Sequence, residues 1–159
     1  MFSKITKTTW LIRTFGLTKV PLIWYCRPRV IDITDEHLEI RIPLRYRTKN
    51  HLNSMYFGVL SVGADVTGGF LAMTPIIKSG RNIALIFKDF KADFLKRAEG
   101  DVHFICRDGL AVKELVDQAI SSGERHNYVL NIEATVPKIS DEIVAKFELT
   151  LSLKDKTEK

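Results

Sequence analysis

Hydrophobic and polar positions alternate over much of this chain with the two-residue period that is typical of β-strands. Charged residues separate Leu38, Ile40 and Ile42, and with the apolar pair Val30-Ile31 upstream they predict a β-hairpin. Four further segments have strand character: 82–87, 102–106, 128–136 and 147–153. Residues 91–97 fit a bulged or bent continuation of the first of these.

Three other segments have helical character. Residues 5–19 fit an amphipathic helix, and a second helix is predicted from Asp108-Gly109 to the residue before Gly123. The third helix is predicted within 52–77, entered through a polar loop in which Asn53 or Ser54 would act as the N-cap.

The segment 52–77 is unusually apolar, and Asp65 is its one ionisable side chain of consequence. It is long enough to cross a bilayer, which needs about 20 residues. A charged residue near its middle and scattered Ser and Thr residues favour a buried core helix instead. Gly58, Gly63 and the pair Gly68-Gly69 indicate close approach of strands to this helix.

The order of elements is helix, two strands, long helix, two strands, short helix, two strands. This order predicts an α+β fold, in which a sheet of about six antiparallel strands wraps around one long central helix. We expect one domain at 28–154, a basic helical segment packed on it at 1–27, and a frayed tail at 155–159. An edge strand invites pairing with a second copy, so a homodimer is expected, with a tetramer as the alternative.

Composition supports a single hydrophobic core. The chain has 159 residues, of which 45% are hydrophobic, and domains of this size fold without staples. Cys26 and Cys106 are far apart and have no partner at metal-ligand spacing, which predicts two reduced, buried thiols, no metal site and a cytoplasmic location.

The net charge of +5 is concentrated at the N-terminus. Residues 1–31 carry six basic side chains and no acidic one, so the rest of the chain is close to neutral. Arg13 and Lys19 interrupt the apolar run, which excludes a secretory signal. A transit peptide, a basic helix in weak contact with a membrane surface, and a first helix that packs on the domain remain open, and we favour the last. The basic pI comes without an aromatic-basic motif, so nucleic-acid binding is not expected.

The loop at 50–58, Asn-His-Leu-Asn-Ser-Met-Tyr-Phe-Gly, followed by Asp65, resembles the active-site segment of hotdog-fold acyl-CoA thioesterases. The resemblance is to the phenylacetate-pathway type, and especially to an uncharacterised bacterial branch of that superfamily. It covers roughly 29–154. The matching positions are Asn50, Phe57, Gly58 and Asp65, whereas relatives commonly carry His-Gly-Gly at 56–58.

The resemblance implies a homodimeric acyl-thioester hydrolase without a cofactor, apart from coenzyme A as part of the substrate. Backbone N–H groups near Phe57 and Gly58 would stabilise an oxyanion at the positive end of the helix dipole. Asp65, with a pKa raised by desolvation, would act as base or nucleophile, and Asn50 would orient water or the carbonyl. In the family, the acid and the oxyanion loop can come from facing protomers.

The same loop supplies candidate substrate-binding residues. A basic cluster could hold the phosphates of coenzyme A, and bulky apolar side chains could line an acyl pocket. The candidates are His51, Ser54, Met55, Tyr56, Arg45, Arg47 and Lys49. In the structural alternatives Asp65 accepts hydrogen bonds from Ser61 or Thr67, or from backbone across the dimer, and Asn50 is a turn residue. The functional alternative is a non-catalytic acyl- or lipid-binding module of the same fold.

Overall fold

The computed structural model describes residues 3–157. Within that range the chain forms four helices and six strands. In order they are α1 (Lys4–Thr18), α2 (Pro21–Cys26), β1 (Arg29–Ile33), β2 (Leu38–Ile42), α3 (Phe57–Ser79), β3 (Ile83–Phe94), β4 (Val102–Cys106), α4 (Gly109–Ser122), β5 (His126–Val136) and β6 (Ser140–Asp155).

The six strands form one antiparallel sheet in the order β1-β2-β4-β5-β6-β3. The central helix α3 contacts β2, β3, β4, β5 and β6, so the sheet curves around it. Most of the helix residues that face the sheet are buried, and the alternating inner residues of the strands complete the core. This is the hotdog arrangement, and the predicted α+β class is confirmed.

Glycines bring α3 into direct contact with the sheet. A β-carbon on Gly63 would overlap the ring of Phe104 in β4, and one on Gly68 would lie 2.9 Å from Leu130 Cδ1 in β5. Residues with side chains would hold the helix further out, so the predicted close approach at these glycines is confirmed.

Burial accounts for the apolar composition of α3. By length and composition this helix could also span a membrane, but 56% of its most apolar 18-residue window is buried inside the fold. Core helices of soluble proteins are equally long and apolar, so length and composition alone do not distinguish a core helix from a membrane-spanning helix.

The start of α3 differs from the prediction. Its N-cap is Tyr56, whose side chain makes no capping hydrogen bond within the described structure. The predicted caps were wrong because both residues belong to the preceding turn. Asn53 adopts a left-handed conformation with φ of 57°, and Ser54 Oγ donates a hydrogen bond to Asn50 Oδ1.

Strand β3 is longer than its apolar run suggested. It pairs with β6 along its length, but the register shifts between Phe87 and Phe90, which marks a β-bulge. The bulge breaks the two-residue period, and for that reason the sequence pattern ended at Phe87. The expected bent continuation is present as far as Phe94.

The N-terminal helices pack on the domain. Ile12 is fully buried, and the ring of Phe15 meets that of Phe70 on α3 edge-on at 5.5 Å. Thr9 Oγ1 also accepts a hydrogen bond from the Val30 backbone N–H of β1, at 3.1 Å. Helix α2, for which the sequence showed only an apolar stretch after Pro21, lies close against α1.

Strand β6 ends at Asp155, the first residue of the segment that was expected to be frayed. Its carboxylate pairs with Arg81 at 2.6 Å and accepts hydrogen bonds from Thr157. Residues 158 and 159 of that tail lie outside the described residues.

Both cysteines are free and buried, as predicted. Burial raises the pKa of the Cys26 thiol to about 11 and that of Cys106 to about 12. At neutral pH both are therefore protonated, and neither is poised as a nucleophile.

Candidate functional site

Asp65 lies on the wall of an apolar cavity of about 350 Å³ between α3, β3 and the two N-terminal helices. Among the described residues that line it, Asp65 alone is ionisable. The other lining residues are Phe15, Val20, Ile23, Val66, Gly69, Phe70, Met73, Leu85, Ile86 and Phe87. Ala64 and Val66, which flank Asp65 in α3, are buried in the core. The helix therefore directs Asp65 to the side where the cavity lies.

The carboxylate of Asp65 is half-buried and has no compensating partner among the described residues. No described group donates a hydrogen bond to it, and desolvation by burial raises its pKa. Ser61 Oγ donates to the Phe57 carbonyl at 3.0 Å, and Thr67 Oγ1 donates to the Gly63 carbonyl at 2.7 Å. The alternative in which Ser61 or Thr67 satisfies Asp65 is therefore wrong, since both hydroxyls bond their own helix backbone.

Asn50 organises the loop before α3. Its Oδ1 accepts hydrogen bonds from the backbone N–H groups of Leu52 at 2.9 Å and Ser54 at 3.2 Å, and from Ser54 Oγ at 3.2 Å. Two backbone donors fix the orientation of the amide, so the Asn50 nitrogen points away from the loop backbone. Asn50 is thus a turn residue, as the structural alternative held, and it keeps two N–H donors for another group.

The first turn of α3 offers backbone donors. Val59 N and Leu60 N donate to the Tyr56 carbonyl, at 2.9 and 3.1 Å. Among the described groups, none accepts from the N–H of Phe57 or Gly58. These two donors at the positive end of a 23-residue helix are suited to hold an anionic oxygen.

The loop lines a second cavity, of about 510 Å³. It brings together six predicted site residues with the segment 94–98 at the end of β3. The predicted residues are Asn50, His51, Ser54, Met55, Tyr56 and Phe57. As lined by the described residues, this cavity shares no residue with the one at Asp65. Within one chain, the loop residues of the predicted site therefore line one cavity, and Asp65 lines the other.

The predicted basic cluster does not line either cavity. Arg45, Arg47 and Lys49 are exposed; the Arg47 guanidinium lies over the Tyr25 ring at 5.1 Å, and Lys49 Nζ donates to Asn53 Oδ1 at 2.9 Å. Their contact with coenzyme A stays a prediction.

Two basic residues outside the predicted site also lie beside the loop. Lys96 and Arg97 line the second cavity, and Arg97 Nη2 donates to the Leu52 carbonyl at 2.6 Å. No sequence signal pointed to them, because only the fold brings the end of β3 to the loop. Within 3–157, no group of three or more His, Cys, Asp and Glu side chains is placed to hold a metal ion.

A family described as "Domain of unknown function (DUF4442)" matches residues 8–153 of this chain. Comparison with curated proteins gives no match.

Several solved structures share the fold. A Pseudomonas aeruginosa protein, PA5026, described as a protein of unknown function and probable thioesterase, is 26% identical with a TM-score of 0.75, and the match covers 92% of this chain and 95% of that one. The protein OLEI01261 from Chlorobaculum tepidum, of unknown function, is 12% identical with a TM-score of 0.80 over 94% and 96% of the two chains. A mutant of thioesterase PA1618 from Pseudomonas aeruginosa is 14% identical with a TM-score of 0.67 over 98% and 96%.

Proposed function

We propose that this chain, which belongs to the family described as a domain of unknown function (DUF4442), hydrolyses acyl thioesters, with acyl-CoA as the substrate class. The family match and the similarity to PA5026 confirm the resemblance to hotdog-fold thioesterase-like proteins. The activity is inferred from the site, supported by the description of PA5026 as a probable thioesterase.

The observation that carries this proposal is the half-buried carboxylate of Asp65, which lies at an apolar cavity without a hydrogen-bond donor among the described residues. Burying a charge without a partner destabilises a protein, and perturbed carboxylates of this kind cluster at functional sites. An apolar cavity is the environment that an acyl chain requires, and a carboxylate with a raised pKa suits proton abstraction from water near neutral pH.

In the proposed reaction the thioester carbonyl oxygen lies at the N-terminus of α3. The N–H groups of Phe57 and Gly58 stabilise the negative charge that develops on it, and in other enzymes one such donor contributes about 2.7–4 kcal/mol. The Asn50 amide nitrogen donates to the carbonyl or to the attacking water. The side chains of Met55 and Tyr56, which line the loop cavity, exclude bulk water from the reacting carbon.

Asp65 is proposed as the general base. It accepts a proton from water as the water oxygen bonds to the acyl carbon; the C–S bond then breaks, and the thiolate takes up the proton to leave as a thiol with a carboxylic acid as the other product. Nucleophilic attack by Asp65 itself, followed by hydrolysis of the anhydride, gives the same products. Since the loop and Asp65 line different cavities of one chain, we propose that the loop of one protomer meets Asp65 of the other.

The proposed homodimer forms through β3, which is the sheet edge nearest the loop. This 12-residue strand pairs with β6 on one side only. Its exposed apolar side chains include Phe90 and Phe94, which are 44% and 49% exposed, and Phe94 also contacts Phe57 at 6.3 Å between ring centroids. An unpaired edge of this length with exposed aromatic rings is suited to pairing with a second copy.

Replacing Phe90 with lysine should therefore convert the dimer into a monomer, because a charge on the paired edge would be buried against its own copy. Sedimentation velocity gives the mass of the wild type and the variant. Val129→Lys is the matched control. Val129 is 47% exposed, but it lies on β5, which has a neighbouring strand on each side and is not an edge strand. A monomeric wild type at micromolar concentration contradicts the shared site, and a stable tetramer would require a second interface.

The activity itself is tested with a panel of acyl-CoA esters of increasing chain length. We expect release of free coenzyme A well above the buffer rate, recorded with a chromogenic thiol reagent, and much slower cleavage of matched oxygen esters. Tight retention of acyl ligand in native mass spectra without any turnover across the panel would show a non-catalytic acyl-binding module instead.

A further inference from the structure

The outer face of α1 is partly apolar although it faces solvent. Its exposed positions recur at helical spacing and form one stripe, on the side opposite the buried Ile12. The stripe begins with Lys4 and Lys7 and continues with Trp10 and Leu17, which are 60% and 58% exposed.

Helix α2 extends this surface. Leu22 is 56% exposed, Trp24 is 38% exposed, and the backbone of Trp24 lies so close to Gly16 that a β-carbon there would clash. The two helices are therefore held as one rigid hairpin. We call the exposed surface of this hairpin the basic-aromatic face; it consists of Lys4, Lys7, Trp10, Leu11, Leu17, Lys19, Leu22, Trp24 and Arg27, with the half-buried Arg13 at its edge.

The charge of this face is almost uncompensated. Lys4 lies 3.8 Å from Asp35, but in the described part of the chain no carboxylate lies within ion-pair distance of Lys7, Arg13, Lys19 or Arg27. Arg13 and Arg27 line a recess of about 190 Å³ together with Trp24. Burial and the positive charges of Arg27 and Arg29 lower the pKa of Arg13, whose Nε donates to the Pro28 carbonyl at 3.3 Å.

We propose that the basic-aromatic face binds the surface of membranes that contain anionic phospholipids, with a headgroup phosphate in the recess between Arg13 and Arg27. Exposed Trp and Leu side chains among uncompensated bases are the composition of helices that lie in the membrane interface. Each base near an anionic surface contributes to the attraction, and the apolar side chains add the burial that a soluble anion could not provide.

The hairpin is preorganised for this role. Ile12 and Phe15 anchor its inner side to the core, so the outer side is presented without any folding step. The inner side also supplies Phe15, Val20 and Ile23 to the cavity at Asp65. Docking would thus place the apolar cavity directly beneath the bilayer surface. The proposal does not depend on thioester hydrolysis, because it concerns binding alone.

Both tryptophans of the chain lie on this face, so tryptophan fluorescence reports on the environment of the face. We expect the protein to co-sediment with vesicles of phosphatidylglycerol and phosphatidylcholine, with a shift of tryptophan emission to shorter wavelength. Vesicles of phosphatidylcholine alone should bind at least about tenfold more weakly, and added salt should reduce binding to the mixed vesicles. Equal binding to both vesicle types, or none to either, overturns the proposal.

Two double variants test whether vesicle binding depends on this face or on exposed apolar residues elsewhere on the surface. Trp10→Ser with Leu17→Ser should weaken vesicle partitioning by at least about tenfold, since burying one large apolar side chain contributes that much. Leu110→Ser with Tyr46→Ser is the matched control, because it also removes an exposed leucine and an exposed aromatic side chain, at positions outside this face. Circular dichroism verifies that both variants are folded.

If the control pair weakens binding as much as the test pair, the attraction is non-specific and the proposal fails. If the test pair changes only concentration-dependent self-association, or only capture of an acidic protein, and leaves vesicle binding intact, the face has a different occupant and the proposal fails.

Discussion

Asp65→Asn is expected to lower kcat for thioester hydrolysis by about 10²–10⁴-fold, the usual contribution of a general base. Asparagine has nearly the same size and keeps the cavity shape, but its amide cannot accept a proton from water. Steady-state assays on the best acyl-CoA of the panel measure the change. Asp117→Asn on α4, at an exposed position, is the control and should retain full activity.

The same substitution is expected to stabilise the protein at neutral pH. Because burial raises the pKa of Asp65 in the folded state, its protonated form is favoured there more than in the unfolded chain. The resulting stability is fully present below the unfolded pKa and is lost as pH rises through the folded pKa. At neutral pH, which lies above the unfolded pKa, burial of this carboxyl group therefore weakens the fold, and a neutral amide at this position would remove that penalty.

Urea unfolding at two pH values distinguishes the catalytic from the structural interpretation. The stability gain of the asparagine variant should be visible at neutral pH and should shrink below the ordinary pKa of aspartate. In the wild type, kcat/KM should fall as pH decreases through the raised pKa, at a higher pH than an ordinary carboxyl group would give. A folded variant with unchanged kcat, or one that is less stable at neutral pH, contradicts the role proposed for Asp65.

Local patterns were sufficient to predict most of the fold. The alternation around Leu38–Ile42 and the charge-poor stretch around Asp65 arise from burial, which the chain records residue by residue. The patterns failed where geometry departs from a regular period. The bulge between Phe87 and Phe90 interrupted the alternation within β3, and the Asn50 turn displaced the helix start to Phe57.

The site was less accessible to such reasoning than the fold. Asp65 was identifiable because a lone acid among apolar neighbours is unusual. Its surroundings were not, because Phe15, Ile23 and Leu85 reach the cavity from three separate elements. Non-local contacts leave no periodic trace in a sequence, and the separation of the Asp65 cavity from the loop cavity is a fact of the tertiary structure alone.

Phe104→Ala is expected to lower the free energy of unfolding by about 3–5 kcal/mol, which is a large share of the roughly 5–15 kcal/mol typical of a domain. Phe104 is fully buried on β4, beneath Gly63 of α3 and 6.3 Å from the ring of Phe147. Removing its ring leaves a cavity at the point where helix and sheet are closest. Guanidinium unfolding measures the loss, and Tyr46→Ala, at a position 88% exposed, should change stability little.

The contact between Gly63 and Phe104 can be isolated by a double-mutant cycle. Gly63→Ala alone should destabilise by about 1–3 kcal/mol through overpacking against the ring, even though alanine is the better helix former by about 1 kcal/mol. With Phe104→Leu the smaller side chain makes room for the methyl group, so the double variant should be more stable than the sum of the single effects predicts, by about 0.5–3 kcal/mol. Because Gly63 sets how deeply α3 lies at Asp65, hydrolysis should fall in Gly63→Ala and recover in part in the double variant. Strictly additive stabilities would show that the helix does not rest on this ring.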